Sequence, residues 1–139
     1  MPVETKKIKV VSKADTDMIN ITEEVSHILS DSKIKDGIIN IFVPGSTASV
    51  STIEYEPNLV NDFKDATERL VPSNMKYKHH ETWGDHNGKS HIRATLMGPG
   101  ITLPFKDKKL MLGTWQQIVL LDFDIPARKR EVILQIVGD

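Results

Sequence analysis

Cysteine is absent from this 139-residue sequence. That removes disulfide frameworks, thiolate metal sites and cysteine nucleophiles together, and it favours a reducing compartment. An excess of charge of either sign is missing too, since 18 Lys and Arg against 19 Asp and Glu leave a formal net charge of −1. With no surplus cation to displace counterions, the balance argues against a nucleic-acid partner. No apolar run approaches the roughly 20 residues that a membrane-spanning helix needs, so no membrane partner is expected. The segment Met1 to Val11 alternates charged and apolar residues and offers no unbroken apolar core for a signal peptide. A cytoplasmic location is the expectation. Repeats, low-complexity stretches and long linkers are also lacking. The whole length, residues 1–139, reads as one domain.

What is present alternates between strand and helix patterns. Thr5 to Val11 reads as a strand. Asn20 with Glu23 resembles a capping box, and Ile21, Val25, Ile28 and Leu29 then share one helical face. Ile38 to Val43 is a β-rich apolar run; Pro44-Gly45 breaks it and Ala48 to Ile53 resumes it. Pro57 suits the first turn of a second helix whose apolar face is Leu59, Phe63, Ala66 and Leu70. Between Pro72 and Ser90 lies a polar stretch of His, Asp, Asn and Gly with little periodicity, the kind of long loop that carries function. From Ser90 onward the pattern reads as nearly all β. His91, Arg93 and Thr95 alternate with Ile92, Ala94 and Leu96, which predicts a strand with one polar face. Further strands are expected at Ile101 to Phe105, Gln116 to Phe123 and Glu131 to Val137. The order predicts an α+β domain: a mixed, mostly antiparallel β-sheet sandwich with two main helices.

Chemistry concentrates in the segment Tyr77 to His91. His79, with His80 beside it, His86 and His91 could converge on a divalent metal or shuttle protons. Their spacing matches no helical metal motif, and exposed loop histidines without a role explain it equally well. Asp85 and Asn87 could partner His91, although Asp85-His86-Asn87-Gly88 also reads as an ordinary polar turn. Pro44-Gly45-Ser46-Thr47 offers hydroxyls and backbone N–H groups that can cradle a phosphate, without the lysine of a P-loop. Gly113-Thr114-Trp115-Gln116-Gln117 places an aromatic and two amides at a strand start, as a packed tryptophan or a ligand platform. Arg128-Lys129-Arg130 reads as a solvated loop before a strand, with an anion contact as the alternative.

Read in order, these segments resemble the YjbQ family, described as secondary thiamine-phosphate synthase enzymes. The resemblance runs from about Ile21 to the C-terminus. Its carriers include Gly45-Ser46-Thr47-Ala48, Ile53-Glu54-Tyr55-Glu56-Pro57, Trp83-Gly84-Asp85, Ser90-His91-Ile92-Arg93-Ala94, and above all Leu112-Gly113-Thr114-Trp115-Gln116. The resemblance implies an α+β sandwich, a homotrimer, and a pocket near subunit contacts where His79 and His91 hold a metal, zinc or magnesium. It also implies a reaction joining hydroxymethylpyrimidine diphosphate to thiazole phosphate with release of pyrophosphate. In that reading His91, Glu54 and Asp85 are catalytic, and Ser46, Thr47, Asn87, Arg93, Thr114, Trp115 and Gln116 bind a small phosphorylated molecule. Trp115 or Trp83 would face the cation developing at the pyrimidine methylene. This sequence departs from many relatives in having Gly45 in place of a histidine, and His86 in place of Gly or Asp. Two expectations follow: that His86 partly replaces the missing ligand beside His79 and His91, or that His86 points to solvent and the site holds only a water or an anion. A non-catalytic trimeric binding protein and a metal-assisted hydrolase are the alternatives.

Overall fold

A computed structural model describes all residues, 1–139. Eight strands and four helices follow in the order β1 (Val3–Val11), β2 (Asp17–Asn20), α1 (Thr22–Ser30), β3 (Gly37–Phe42), β4 (Ala48–Glu54), α2 (Pro57–Leu70), α3 (His79–Trp83), α4 (Gly88–Met97), β5 (Gly100–Lys106), β6 (Lys109–Leu110), β7 (Gln116–Asp122) and β8 (Lys129–Gly138). They form a five-stranded sheet in the order β1-β8-β3-β5-β6 and a three-stranded sheet in the order β2-β7-β4. Every ladder is antiparallel. The α+β class expected from the sequence is the class observed, with four helices rather than two.

The main core draws on both sheets and on α1. Ile39, Ile41, Val132, Leu134 and Ile136 come from the larger sheet, Val50, Ile118 and Leu120 from the smaller, and Val25 and Leu29 from the helix. A second cluster lies on the other face of the smaller sheet, where Val119 and Leu121 of β7 meet Ala94 and Met97 of α4 and Val60 and Phe63 of α2. β7 is therefore buried on both faces. That explains why its central stretch, Ile118 to Leu121, is continuously apolar instead of alternating.

Two local readings are corrected here. Ser90, Arg93, Ala94 and Met97 recur at i, i+3, i+4 and i+7 and form the inward face of α4, so the segment is a helix and not the strand its alternation suggested. The β-branched Ile92 and Thr95 gave the strand-like signal, but both sit on the exposed face. Gly98, at φ +87°, ends the helix, its N–H donating to the Ala94 carbonyl. α2 starts at Pro57 as expected and is capped by the Glu56 carboxylate, which accepts from the N–H groups of Asn58 and Leu59. Its inward face runs through Val60, Phe63 and Thr67. Leu70, assigned to that face from the sequence, is exposed.

Candidate functional site: a polar cleft at one end of the smaller sheet

Three connections meet at the end of the smaller sheet where Ala48 of β4 pairs with Asp122 of β7. They are the β3–β4 loop at Gly45–Thr47, the α3–α4 region, and the turn from β7 into β8. Between them lies a cleft of about 480 Å³ lined by Gly45, Ser46, Thr47, His79, Trp83, Asp85, Asn87, His91, Asp124, Arg128 and Arg130. Trp83 is the one apolar side chain in that lining. Such a wall selects a polar or charged ligand, because an apolar one would strip water from these groups without replacing their hydrogen bonds.

One wall is made of imidazoles. α3 presents His79 and α4 presents His91, with ring centroids 4.6 Å apart and planes tilted by 41°. Gly88 makes this approach possible: a Cβ there would fall 2.7 Å from Cβ of Tyr77 and 3.4 Å from Cβ of His79. Nδ1 of His79 lies 3.4 Å from Oδ1 of Asp85, an ion-pair separation without hydrogen-bond geometry. Asn87 sits between the two walls, its amide donating to Oδ1 of Asp124 at 3.5 Å; turned over, the same amide reaches Oδ1 of Asp85 at 2.9 Å.

The other wall is an arginine–aspartate cluster. Arg130 grips Asp122 through two parallel hydrogen bonds, Nε to Oδ2 at 2.9 Å and Nη2 to Oδ1 at 2.8 Å, and Nη2 also donates to Thr47 Oγ1. Ser12 Oγ donates to the same carboxylate at 2.6 Å. Arg128 holds Asp124 through a single oxygen, Nε donating to Oδ2 at 2.8 Å and Nη2 ion-paired with the same oxygen at 2.8 Å. Both carboxylates are nearly sealed from solvent, with 1% and 3% of their side-chain surface exposed. Burial pushes the Asp122 carboxyl up, but hydrogen bonds from Arg130, Ser12 and the Asp124 N–H outweigh it and hold it below the usual carboxylate value. Asp124 is held down in the same way by Arg128 and the Ile125 N–H against its burial. Arg130 is raised by Asp122 more than burial lowers it.

Of the residues singled out from the sequence, Gly45, Ser46, Thr47, His79, Trp83, Asp85, Asn87 and His91 converge here. His86 does not. It stacks on His80 at 3.8 Å between centroids, away from the His79–His91 pair. Its backbone is left-handed, at φ +58°, in the tight turn that leads into α4. Arg93 is also elsewhere. It is buried behind α4, with Nη1 donating to Thr16, Nη2 to Glu68, and Nε and Nη2 to the Val71 carbonyl. Glu54, Thr114, Trp115 and Gln116 stand at the far end of the sheet, where Glu54 pairs with Gln116. That is roughly 20 Å along β4 from the cleft at about 3.3 Å per residue. Asp124 was not singled out from the sequence, and Arg128 and Arg130 were read first as part of a solvated basic loop, with an anion contact as the alternative. The signal was the matched spacing: Asp122 and Asp124, then Arg128 and Arg130, each pair two residues apart on one side of an extended chain.

A divalent metal was expected between the histidines. Within one chain the side chains do not fit it: two imidazoles converge, His79 turns Nδ1 toward Asp85, and no group of three His, Asp or Glu side chains is placed to hold an ion.

The fold and cleft define a two-sheet α+β protein whose site is polar and carries paired imidazoles opposite paired arginines. A family described as UPF0047 protein YjbQ-like matches residues 6–139. A UPF0047 protein of Methanocaldococcus jannaschii is 35% identical over 134 residues, 96% of this chain and 94% of that one. Another from Methanothermobacter thermautotrophicus is 34% identical over 138 residues, 99% of this chain and 94% of its own. Among solved structures, a YbjQ-like protein of unknown function from Sulfolobus solfataricus superposes with a TM-score of 0.93 at 32% identity, covering 99% of both chains. The chain belongs to the YjbQ-like UPF0047 family.

Proposed function

We propose that the cleft binds a small phosphorylated molecule and that the stacked imidazoles of His79 and His91, with Asp85 beside His79, move a proton on that molecule. The observation that carries this reading is the imidazole pair on the wall of an almost wholly polar cleft, with a carboxylate 3.4 Å from the buried Nδ1 of His79. The negative charge of Asp85, 3.4 Å from Nδ1 of His79, favours the tautomer of that ring protonated there, which leaves its Nε2 free to exchange a proton. The reaction implied by the family resemblance suits this arrangement. As the bond from the pyrimidine methylene to the diphosphate oxygen breaks, a protonated imidazole can donate to the departing diphosphate, while the thiazole nitrogen forms the new C–N bond. Glu54, assigned to catalysis from the sequence, is too far along β4 to take part within one chain.

The homotrimer belongs to the same proposal. Both tryptophans are largely exposed in the isolated chain, Trp83 at 75% and Trp115 at 72%, and aromatic residues of this kind are the usual anchors of subunit interfaces. A neighbouring subunit is also the one route by which Trp115 and Glu54 could approach a cleft. Light scattering should give about three times the 15.6 kDa chain mass.

The test of the chemistry is direct. Purified protein with the two phosphorylated substrates should form the coupled thiamine phosphate and pyrophosphate, detected by chromatography. His91→Ala and Asp85→Asn should lower the rate by about 10²–10⁴-fold without changing the melting temperature. Ligand binding without turnover would reject the catalytic reading in favour of a binding protein. Release of free phosphate would mark a hydrolase.

A further inference from the structure

The donors of the arginine wall are not all used. Arg130 spends Nε and Nη2 on Asp122 and Thr47, and its Nη1 makes no hydrogen bond. The side chain is nine-tenths buried, yet Nη1 is not among the buried atoms left without a partner, so the small remaining exposure opens this nitrogen to the cleft. Gly45 keeps it open. A Cβ at that position would lie 3.0 Å from Nη1, and the φ of +130° is one that only glycine adopts readily. Arg128 repeats the pattern: Nε and Nη2 hold Asp124, and Nη1 has no partner. Ser46, exposed on the same loop, has a hydroxyl with no partner in the chain.

We infer that Nη1 of Arg130, Nη1 of Arg128 and the Ser46 hydroxyl form the subsite for the phosphoryl group of a phosphate monoester, and that Gly45 determines access to it. This rests on the reading that the cleft takes a phosphorylated molecule, and it names which class. Three separate donors match the three terminal oxygens of a monoester, where a carboxylate has two. The charge of the wall limits the ligand further. Each arginine is already matched by one aspartate, and no other lysine or arginine lines the cleft. A second phosphoryl group would meet Asp85 and Asp124 with only the imidazoles of His79 and His91 to offset them, so at this subsite a diphosphate gains little over a monoester, and in the proposed reaction it is the thiazole phosphate that the subsite takes. The strength of the subsite comes from pre-positioned N–H groups. Asp122 and Asp124 fix both guanidinium planes before the ligand arrives, so little side-chain freedom is lost on binding.

Isothermal titration with glycerol phosphate, pyrophosphate and acetate tests this. Wild type should bind glycerol phosphate, bind pyrophosphate no more tightly, and bind acetate weakly. Arg130→Lys keeps the charge but loses Nη1 and should weaken glycerol phosphate binding about tenfold or more, the scale of one hydrogen bond to a charged group. Arg130 is packed against Asp122, so Ser46→Ala, at an exposed position, provides a variant that keeps the fold; it should weaken binding about threefold to tenfold with an unchanged melting temperature. Wild type that binds neither phosphate compound overturns both the subsite and the proposed function. Binding that is indifferent to Arg130→Lys and Ser46→Ala overturns the subsite alone. Pyrophosphate binding tenfold tighter than glycerol phosphate overturns the monoester class.

Discussion

Two ionic networks lie on opposite sides of α4, and they use the same residue types to different ends. In the cleft, Arg130 and Arg128 are fixed by Asp122 and Asp124 and each keeps one guanidinium nitrogen free. Behind the helix, Arg93 has all three nitrogens engaged, on Thr16, Glu68 and the Val71 carbonyl. Beside it, Lys89 donates to Asp15 at 2.6 Å and to Ser73 at 2.9 Å. The second network holds a strained turn, since Asp15 and Thr16 both have positive φ, 47° and 55°, and a β-branched threonine rarely accepts that conformation. Burial and pairing are therefore not what separates a binding arginine from a structural one. The separation lies in whether any donor is left over and whether that donor meets solvent.

The largest effect should come from removing an aspartate of the cleft. Asp122→Ala leaves Arg130 nine-tenths buried and without its carboxylate. The expected loss is about 3–5 kcal/mol of stability, read from urea unfolding at neutral pH. A loss below about 1 kcal/mol would show that Arg130 swings into solvent, and the claimed pre-positioning would go with it.

A smaller loss of stability, with no loss of binding, is expected behind the helix. Arg93→Met should cost about 1–3 kcal/mol, because it strands the Val71 carbonyl and releases the Thr16 turn, while glycerol phosphate affinity stays unchanged. The pH dependence sharpens the contrast. Glu68 is held down to about 2 by the Ser73 N–H first, then the Ser73 hydroxyl and Arg93. A carboxyl depressed in the folded state stabilises above its unfolded value near 4.3, and that contribution fades as pH falls through about 2. The gap between wild type and Arg93→Met should therefore narrow from about pH 4 downward. A gap of constant size would mean that Arg93 acts through the carbonyl and Thr16 alone.

The smallest effect is expected at His86. It stacks on His80 outside the cleft, so His86→Gly should leave glycerol phosphate affinity and coupled product formation unchanged. Gly also accepts φ +58° more readily than His, so a slight gain in melting temperature is consistent with the turn. A loss of activity matching that of His91→Ala would restore His86 to the site.

Some of this was present in the sequence alone. Apolar periodicity located β3, β4, α2 and the C-terminal strands because each buries one face or both, and burial leaves a local signature. Pro57 marked the start of α2 for a reason internal to the chain: its fixed φ and missing N–H suit a first turn. The polar stretch from His79 to His91 and the Gly45–Thr47 loop stood out because chemistry-bearing residues are dense there. Tertiary structure decided the rest. Whether Ser90 to Met97 became helix or strand depended on the partner offered to Ala94 and Met97, and Val119 and Leu121 of β7 offered a second core. Which histidines met was fixed by how α3 and α4 pack around Gly88, and sequence spacing does not encode that. The role of Arg128 and Arg130 depended on Asp122 and Asp124 lying across a turn and on Gly45 approaching from another strand. A charge reads as solvated until the fold supplies its partner, and only the fold shows which of its donors remains free.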